Sequence, residues 1–190
     1  MRTFIAIELP KEIKDSLAKL QNQLNESGAD VKWVEPQNLH LTLKFLGERD
    51  EKKVKQIAQV IEKIAQGKGS FQARIASLGA FPGIKSPRVI WVGINQGDSE
   101  TKEIAKELEE EIAKTGIPKE DRPFSSHITI GRIRSSLNRE RLVQGLQELA
   151  DDLAGKNLEF CIAKFTLFKS ILTPKGPIYE RLKDVNLKTS

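Results

Sequence analysis

The stretch Pro36-Gln37-Asn38-Leu39-His40-Leu41-Thr42-Leu43 returns, with His127 in the place of His40, as Pro123-Phe124-Ser125-Ser126-His127-Ile128-Thr129-Ile130, 87 residues further on. These are the only two histidines of the chain. On a strand, side chains alternate, so His40 and Thr42 share one face while Leu41 and Leu43 point to the other. His127 and Thr129 do likewise against Ile128 and Ile130. Burying the apolar faces under helices leaves one imidazole and one hydroxyl from each copy facing a shared concavity.

The repeat extends outward from the motifs. Arg2-Thr3-Phe4-Ile5-Ala6-Ile7 reads as a strand before an amphipathic helix from about Lys11 to Leu24, with Ile13, Leu17, Leu20 and Leu24 on one face. Arg88-Val89-Ile90-Trp91-Val92-Gly93-Ile94 precedes a helix from about Ser99 to Lys114, striped by Ile104, Leu108 and Ile112 and stopped at Gly116. Each motif is followed by a helix, about Glu51 to Ala65 and Asn138 to Leu153, and then by a strand-like run, Phe71 to Leu78 and Leu158 to Phe168. Phe81-Pro82-Gly83 and Thr173-Pro174-Lys175-Gly176-Pro177 read as loops. The expected fold is α+β, with two pseudo-symmetric lobes, each of antiparallel strands and two helices, around a central cleft. It forms a single domain over 1–190 by internal duplication, with lobes of roughly 1–87 and 88–190 interleaved in space.

Composition sets the limits. A chain of 190 residues, 38% hydrophobic and 30% charged, builds one sizeable core, and no apolar run approaches the roughly 18 residues of a membrane span. The N-terminal sequence lacks the features of a secretory signal, so a cytoplasmic location and no membrane partner are expected. The single cysteine, Cys161, allows no internal disulfide, and its apolar neighbours predict a buried thiol. The net charge of +5 suits a polyanionic partner without requiring one. Much of it lies on stretches such as Glu103 to Lys114, whose alternating signs mark a solvated helix face.

Paired imidazoles and hydroxyls suit in-line displacement at phosphorus. One neutral ring accepts a proton from the attacking water or hydroxyl, the other ring donates one to the departing oxygen, and Thr42 and Thr129 hold the non-bridging oxygens. No cofactor is required. A metal site is the rival reading, but each motif offers one imidazole and no inward carboxylate, so none is expected. Lys44 shares the parity of His40 and Thr42, which on a regular strand carries it to the rim of the anion site. Arg132 has the wrong parity unless Gly131 permits a bulge that turns it inward. Both are weighed against plain solvated strand-end cations. Trp33, Phe45, Phe81 and Trp91 read as core, and Phe124 as the best candidate for stacking a base.

Together with Trp33-Val34, His40-Leu41-Thr42-Leu43-Lys44-Phe45-Leu46-Gly47, Pro87-Arg88-Val89-Ile90-Trp91-Val92-Gly93 and Gly176-Pro177-Ile178-Tyr179, the two motifs make nearly the whole chain resemble the 2H phosphoesterases. Within them it is similar to the RNA 2′,3′-cyclic phosphodiesterases, also called 2′-5′ RNA ligases. The resemblance implies hydrolysis of a terminal 2′,3′-cyclic phosphate on RNA to a 2′-phosphate, with reversible 2′-5′ joining as a side activity. It implies His40 as proton donor and His127 as acceptor, roles that the symmetry of the sequence does not assign. RNA with a 2′,3′-cyclic end, cleaved tRNA halves included, is the implied partner of a monomer. Two alternatives stay open: a module that binds a nucleotide or RNA end without turnover, and a phosphodiesterase for small cyclic nucleotide phosphates.

Overall fold

The computed structural model describes residues 1–189. Nine strands and four helices follow in the order β1 (Arg2–Glu8), α1 (Lys11–Asn25), β2 (Val31–Trp33), β3 (His40–Glu48), α2 (Glu51–Gln66), β4 (Phe71–Phe81), β5 (Val89–Ile94), α3 (Asp98–Ala113), β6 (His127–Ile133), α4 (Arg139–Gly155), β7 (Leu158–Ile162), β8 (Lys164–Thr173) and β9 (Gly176–Asn186). A single 3-10 turn, Pro36–Asn38, leads into β3.

Local chemistry sets the helices. Asp50 caps α2 by accepting the Lys53 N–H at 2.7 Å, and Val54, Ile57, Ile61 and Ile64 form its buried stripe. Gly97, at φ +85°, turns the chain into α3, which buries Ile104, Leu108 and Ile112. α1 buries Ile13, Leu17, Leu20 and Leu24, as its periodicity predicts.

The strands form two antiparallel sheets, ordered β3-β1-β8-β9 and β2-β6-β5-β4-β7. Within them β3-β1-β8 and β6-β5-β4 are matching triplets, so strands from both halves of the sequence enter each sheet. Helices α2 and α3 pack together over the first sheet, through β9 and β3, while α1 and α4 pack together over the second, through β6 and β4. The two sheets come together along β3 and β6. The fold is thus α+β, with two helices to each lobe. Its main core lies between helices and sheets, and a small second cluster of Phe4, Ala6 and Phe168, with Tyr179 against it, lies on the uncovered face of the first sheet.

Three expectations need correcting. The run from Leu158 to Phe168 is not one strand: Ala163 divides it into β7 and β8, which belong to different sheets. The segment Thr173 to Pro177 is the tip of a hairpin whose second arm, β9, escaped the pattern because only Val185 of its eleven residues is buried. Cys161 is exposed, since β7 is an edge strand and Cys161 alternates outward with Glu159.

Candidate active site

His40 and His127 each open a strand, and each ring is tied by its Nδ1 to the carbonyl two residues earlier, Asn38 at 2.6 Å and Ser125 at 3.0 Å. A carbonyl only accepts, so Nδ1 carries the hydrogen and Nε2 is left for a ligand. Each ring is also flanked by an aromatic edge at 89°: Tyr179 at 5.3 Å from His40, Phe81 at 5.2 Å from His127. Burial pushes both imidazoles below their ordinary pKa, against the raising effect of the carbonyl bonds. At His40, Lys14 lowers further and Glu8 raises; at His127, Arg132 lowers further. Both rings therefore favour the neutral form at pH 7.

Thr42 and Thr129 lie two residues on, partly open, while Leu41, Leu43, Ile128 and Ile130 are buried. Then both strands break register at the same place. In β3, Ala6 pairs with Thr42 but Ile5 with Lys44, which leaves Leu43 as the extra residue. In β6, Trp91 pairs with Thr129 but Ile90 with Gly131, which leaves Ile130. A bulge of this kind reverses the faces of the residues that follow it, in β3 as far as a second bulge at Leu46.

The bulge in β6 is held from behind. The Ile130 carbonyl accepts the side-chain amide of the buried Gln21 at 2.9 Å and the backbone N–H of Val34 at 3.0 Å. Gly131 then faces the helices, where a Cβ would come within 2.8 Å of the Trp33 ring and 2.9 Å of Val31. Arg132 comes round to the face of His127 and Thr129, opposite Val89, and its charge bears on both His127 and Tyr179. Because Tyr179 lies against His40, the charge of one guanidinium bears on groups of both lobes.

In β3 the same reversal corrects the expectation for Lys44. Its side chain is 1% exposed and turned toward α3, where its ammonium meets the Glu109 carboxylate at 2.5 Å. It does not line the cleft. Phe45 takes the open face instead, opposite Phe4 in register and 63% exposed, so it is not core. Phe81, Trp91 and Phe124 also depart from expectation. Phe81 is 39% exposed beside His127, and the Trp91 ring lies over Gly79, where a Cβ would come within 2.5 Å of the indole. Phe124 packs against the main core instead of offering a free platform. Trp33 stays partly buried, its Nε1 donating to Asn25 at 3.0 Å.

Beside His40 the β8–β9 hairpin folds back toward the 3-10 turn, and the Asn38 amide donates to the Pro177 carbonyl at 3.0 Å. The cavity so formed, about 450 Å³, is lined by Glu8, Gln37, Phe168, Tyr179 and Arg181 among others. Sequence patterning did not single out this cavity, and it gave Tyr179, quoted only for the resemblance, no role, because both depend on β9. Among the described residues, no three His, Cys, Asp or Glu side chains gather as a metal would need, and no helix is long and apolar enough to cross a membrane.

The family model of LigT-like phosphoesterases matches twice in tandem, over residues 7–91 and 92–179. An RNA 2′,3′-cyclic phosphodiesterase of Methanocaldococcus jannaschii is 39% identical over 184 residues, covering 97% of this chain and 99% of its own. A crystal structure from Thermus thermophilus superposes over the whole of both chains with a TM-score of 0.81 at 29% identity. Escherichia coli LigT complexed with 3′-AMP does so over 98% of this chain and 97% of its own, with a TM-score of 0.77 at 27% identity. With two tandem matches that each contain one His-x-Thr strand, the chain belongs to the LigT-like branch of the 2H phosphoesterases.

Proposed function

We propose that this protein hydrolyses the 2′,3′-cyclic phosphate at the end of an RNA, leaving a 2′-phosphate. The observation that carries the reading is the pairing of two Nδ1-pinned histidines, each with a threonine two residues on, on strands that adjoin. His127 takes a proton from water as the oxygen bonds to phosphorus; the bond from phosphorus to O3′ breaks, and His40 gives its proton to O3′. Arg132 beside His127 favours the neutral, accepting form of that ring, in keeping with this assignment. The substrate's own negative charge raises the affinity of His40 for the proton it must deliver. Thr42 and Thr129 donate to the non-bridging oxygens, and Arg132 balances their charge.

Phe45 and the cavity beside His40 offer apolar surface for the terminal nucleoside, in place of Phe124. The name of the M. jannaschii relative supports RNA as the substrate class. A 5′-hydroxyl in the place of water, with the same proton transfers, gives a 2′-5′ linkage in reverse of its cleavage. The test is turnover of an oligoribonucleotide ending in a 2′,3′-cyclic phosphate, followed by phosphorus NMR in the presence of EDTA. A 2′-phosphate formed at an unchanged rate supports the reading; a 3′-phosphate, or no turnover, refutes it.

A further inference from the structure

The open face of the first sheet carries a row of side chains that the proposed reaction does not use. In register, Arg2 of β1 lies opposite Ser170 of β8, and Ser170 lies opposite Tyr179 of β9. Residues opposite one another project to the same face. That face is the one with Phe4 and Phe168, two residues along from Arg2 and Ser170, so all three side chains look into the cleft.

Arg2 is exposed and has no ion-pair partner among the described residues. Its cross-strand neighbour Glu48 gives its carboxylate to the Met1 ammonium instead, at 3.1 Å. The Ser170 and Tyr179 hydroxyls likewise have no hydrogen-bond partner among the described residues. Burial raises the Tyr179 phenol, and the two charges that oppose this are Arg132, from the other lobe, and Arg2. Two guanidiniums thus bear on the Tyr179 phenol, and the Ser170 hydroxyl lies in register between Arg2 and Tyr179. An unpaired arginine beside free hydroxyl donors suits a phosphate.

We propose that Arg2, Ser170 and Tyr179 form a second anion subsite, which takes the 5′-phosphate of the nucleotide whose cyclic phosphate reacts between the histidines. The choice of a nucleotide rests on the function proposed above; the anion site rests on the row itself. The 5′-phosphate reaches it either as a terminal monoester or as the diester that joins the last nucleotide to the RNA. The charge of Arg132 bears on one group of each site, His127 and Tyr179.

The test is calorimetric titration with uridine 2′-phosphate, uridine 2′,5′-bisphosphate and the dinucleotide UpU bearing a 2′-phosphate. The bisphosphate binds the wild-type protein about tenfold more tightly than the monophosphate, the worth of one charge-assisted contact. Arg2→Met removes that advantage and leaves the affinity for uridine 2′-phosphate as it was. Arg2→Lys, which keeps the charge and serves should the methionine variant fail to fold, retains most of it. If UpU with the 2′-phosphate shares the advantage, the subsite accepts the diester of an RNA chain; if only the bisphosphate has it, the subsite takes a terminal monoester. Equal wild-type affinities for monophosphate and bisphosphate overturn the proposal, as does an Arg2→Met variant that weakens both alike. A protein that shows the advantage yet turns over no cyclic phosphate keeps the subsite and loses only the proposed reaction.

Discussion

Strands β3 and β6 are copies of one another through four residues, and then differ. Both open with a histidine pinned to the carbonyl two residues back, both place a threonine beside it, and both follow the threonine with a bulged residue, Leu43 or Ile130. Beyond the bulge, one copy sends Lys44 into the helices and Phe45 into the open, whereas the other tucks Gly131 under Trp33 and sends Arg132 into the cleft. The same backbone device thus delivers an apolar ring from one lobe and a fixed cation from the other. The symmetric part suits chemistry that needs an acid and a base across one phosphorus; the asymmetric part gives the site a direction.

Replacing the shared residues breaks what the copies have in common. His40→Ala and His127→Ala each lower kcat on a 2′,3′-cyclic phosphate by roughly 10²- to 10⁴-fold with the fold intact by circular dichroism, and the double variant is little worse than either single one. Full activity in either would end the two-histidine account. Arg132→Met comes next, with a loss in kcat/KM of about 10²-fold. It also alters the pH profile. Arg132 holds the His127 pKa down, so its removal lets that pKa rise, and the acid limb of kcat/KM moves to higher pH. An unmoved limb would mean that His127 is not the group titrating there.

Lys44 and Glu109 sharpen the contrast from the structural side. Glu109→Ala strands a buried ammonium and costs about 3 kcal/mol in urea unfolding, while Lys44→Met leaves kcat near wild type. A Lys44→Met variant with the deficit of Arg132→Met would restore lysine to the anion site. The smallest effect is expected at Phe45→Ala, about a tenfold rise in KM on nucleotide substrates with kcat kept. Loss of kcat without a change in KM would remove Phe45 from the role of platform.

Much of this was legible in the sequence. The apolar spacing of Ile13, Leu17, Leu20 and Leu24, and the match of His40-x-Thr42 to His127-x-Thr129, pointed to the helices, the strands and the residues of the candidate site, because periodicity and side-chain chemistry are local properties. The bulges were not legible from alternation alone. A single inserted residue is held by distant partners, Gln21 for Ile130, and strict alternation therefore sent Lys44 to the wrong face. The β9 strand was hidden for a related reason. It is an edge strand rich in charge, its pairing with β8 is all that makes it a strand, and Tyr179 and the cavity beside His40 come with it.

The central claim is that both histidines act on one phosphorus atom, and a crystal of the protein soaked with a nucleoside 2′-phosphate tests it most directly. One phosphate is expected there, with Nε2 of His40 and Nε2 of His127 on opposite sides, each within hydrogen-bond distance, and the Thr42 and Thr129 hydroxyls on its oxygens. A phosphate held by one lobe alone, with the other ring turned away, would contradict it.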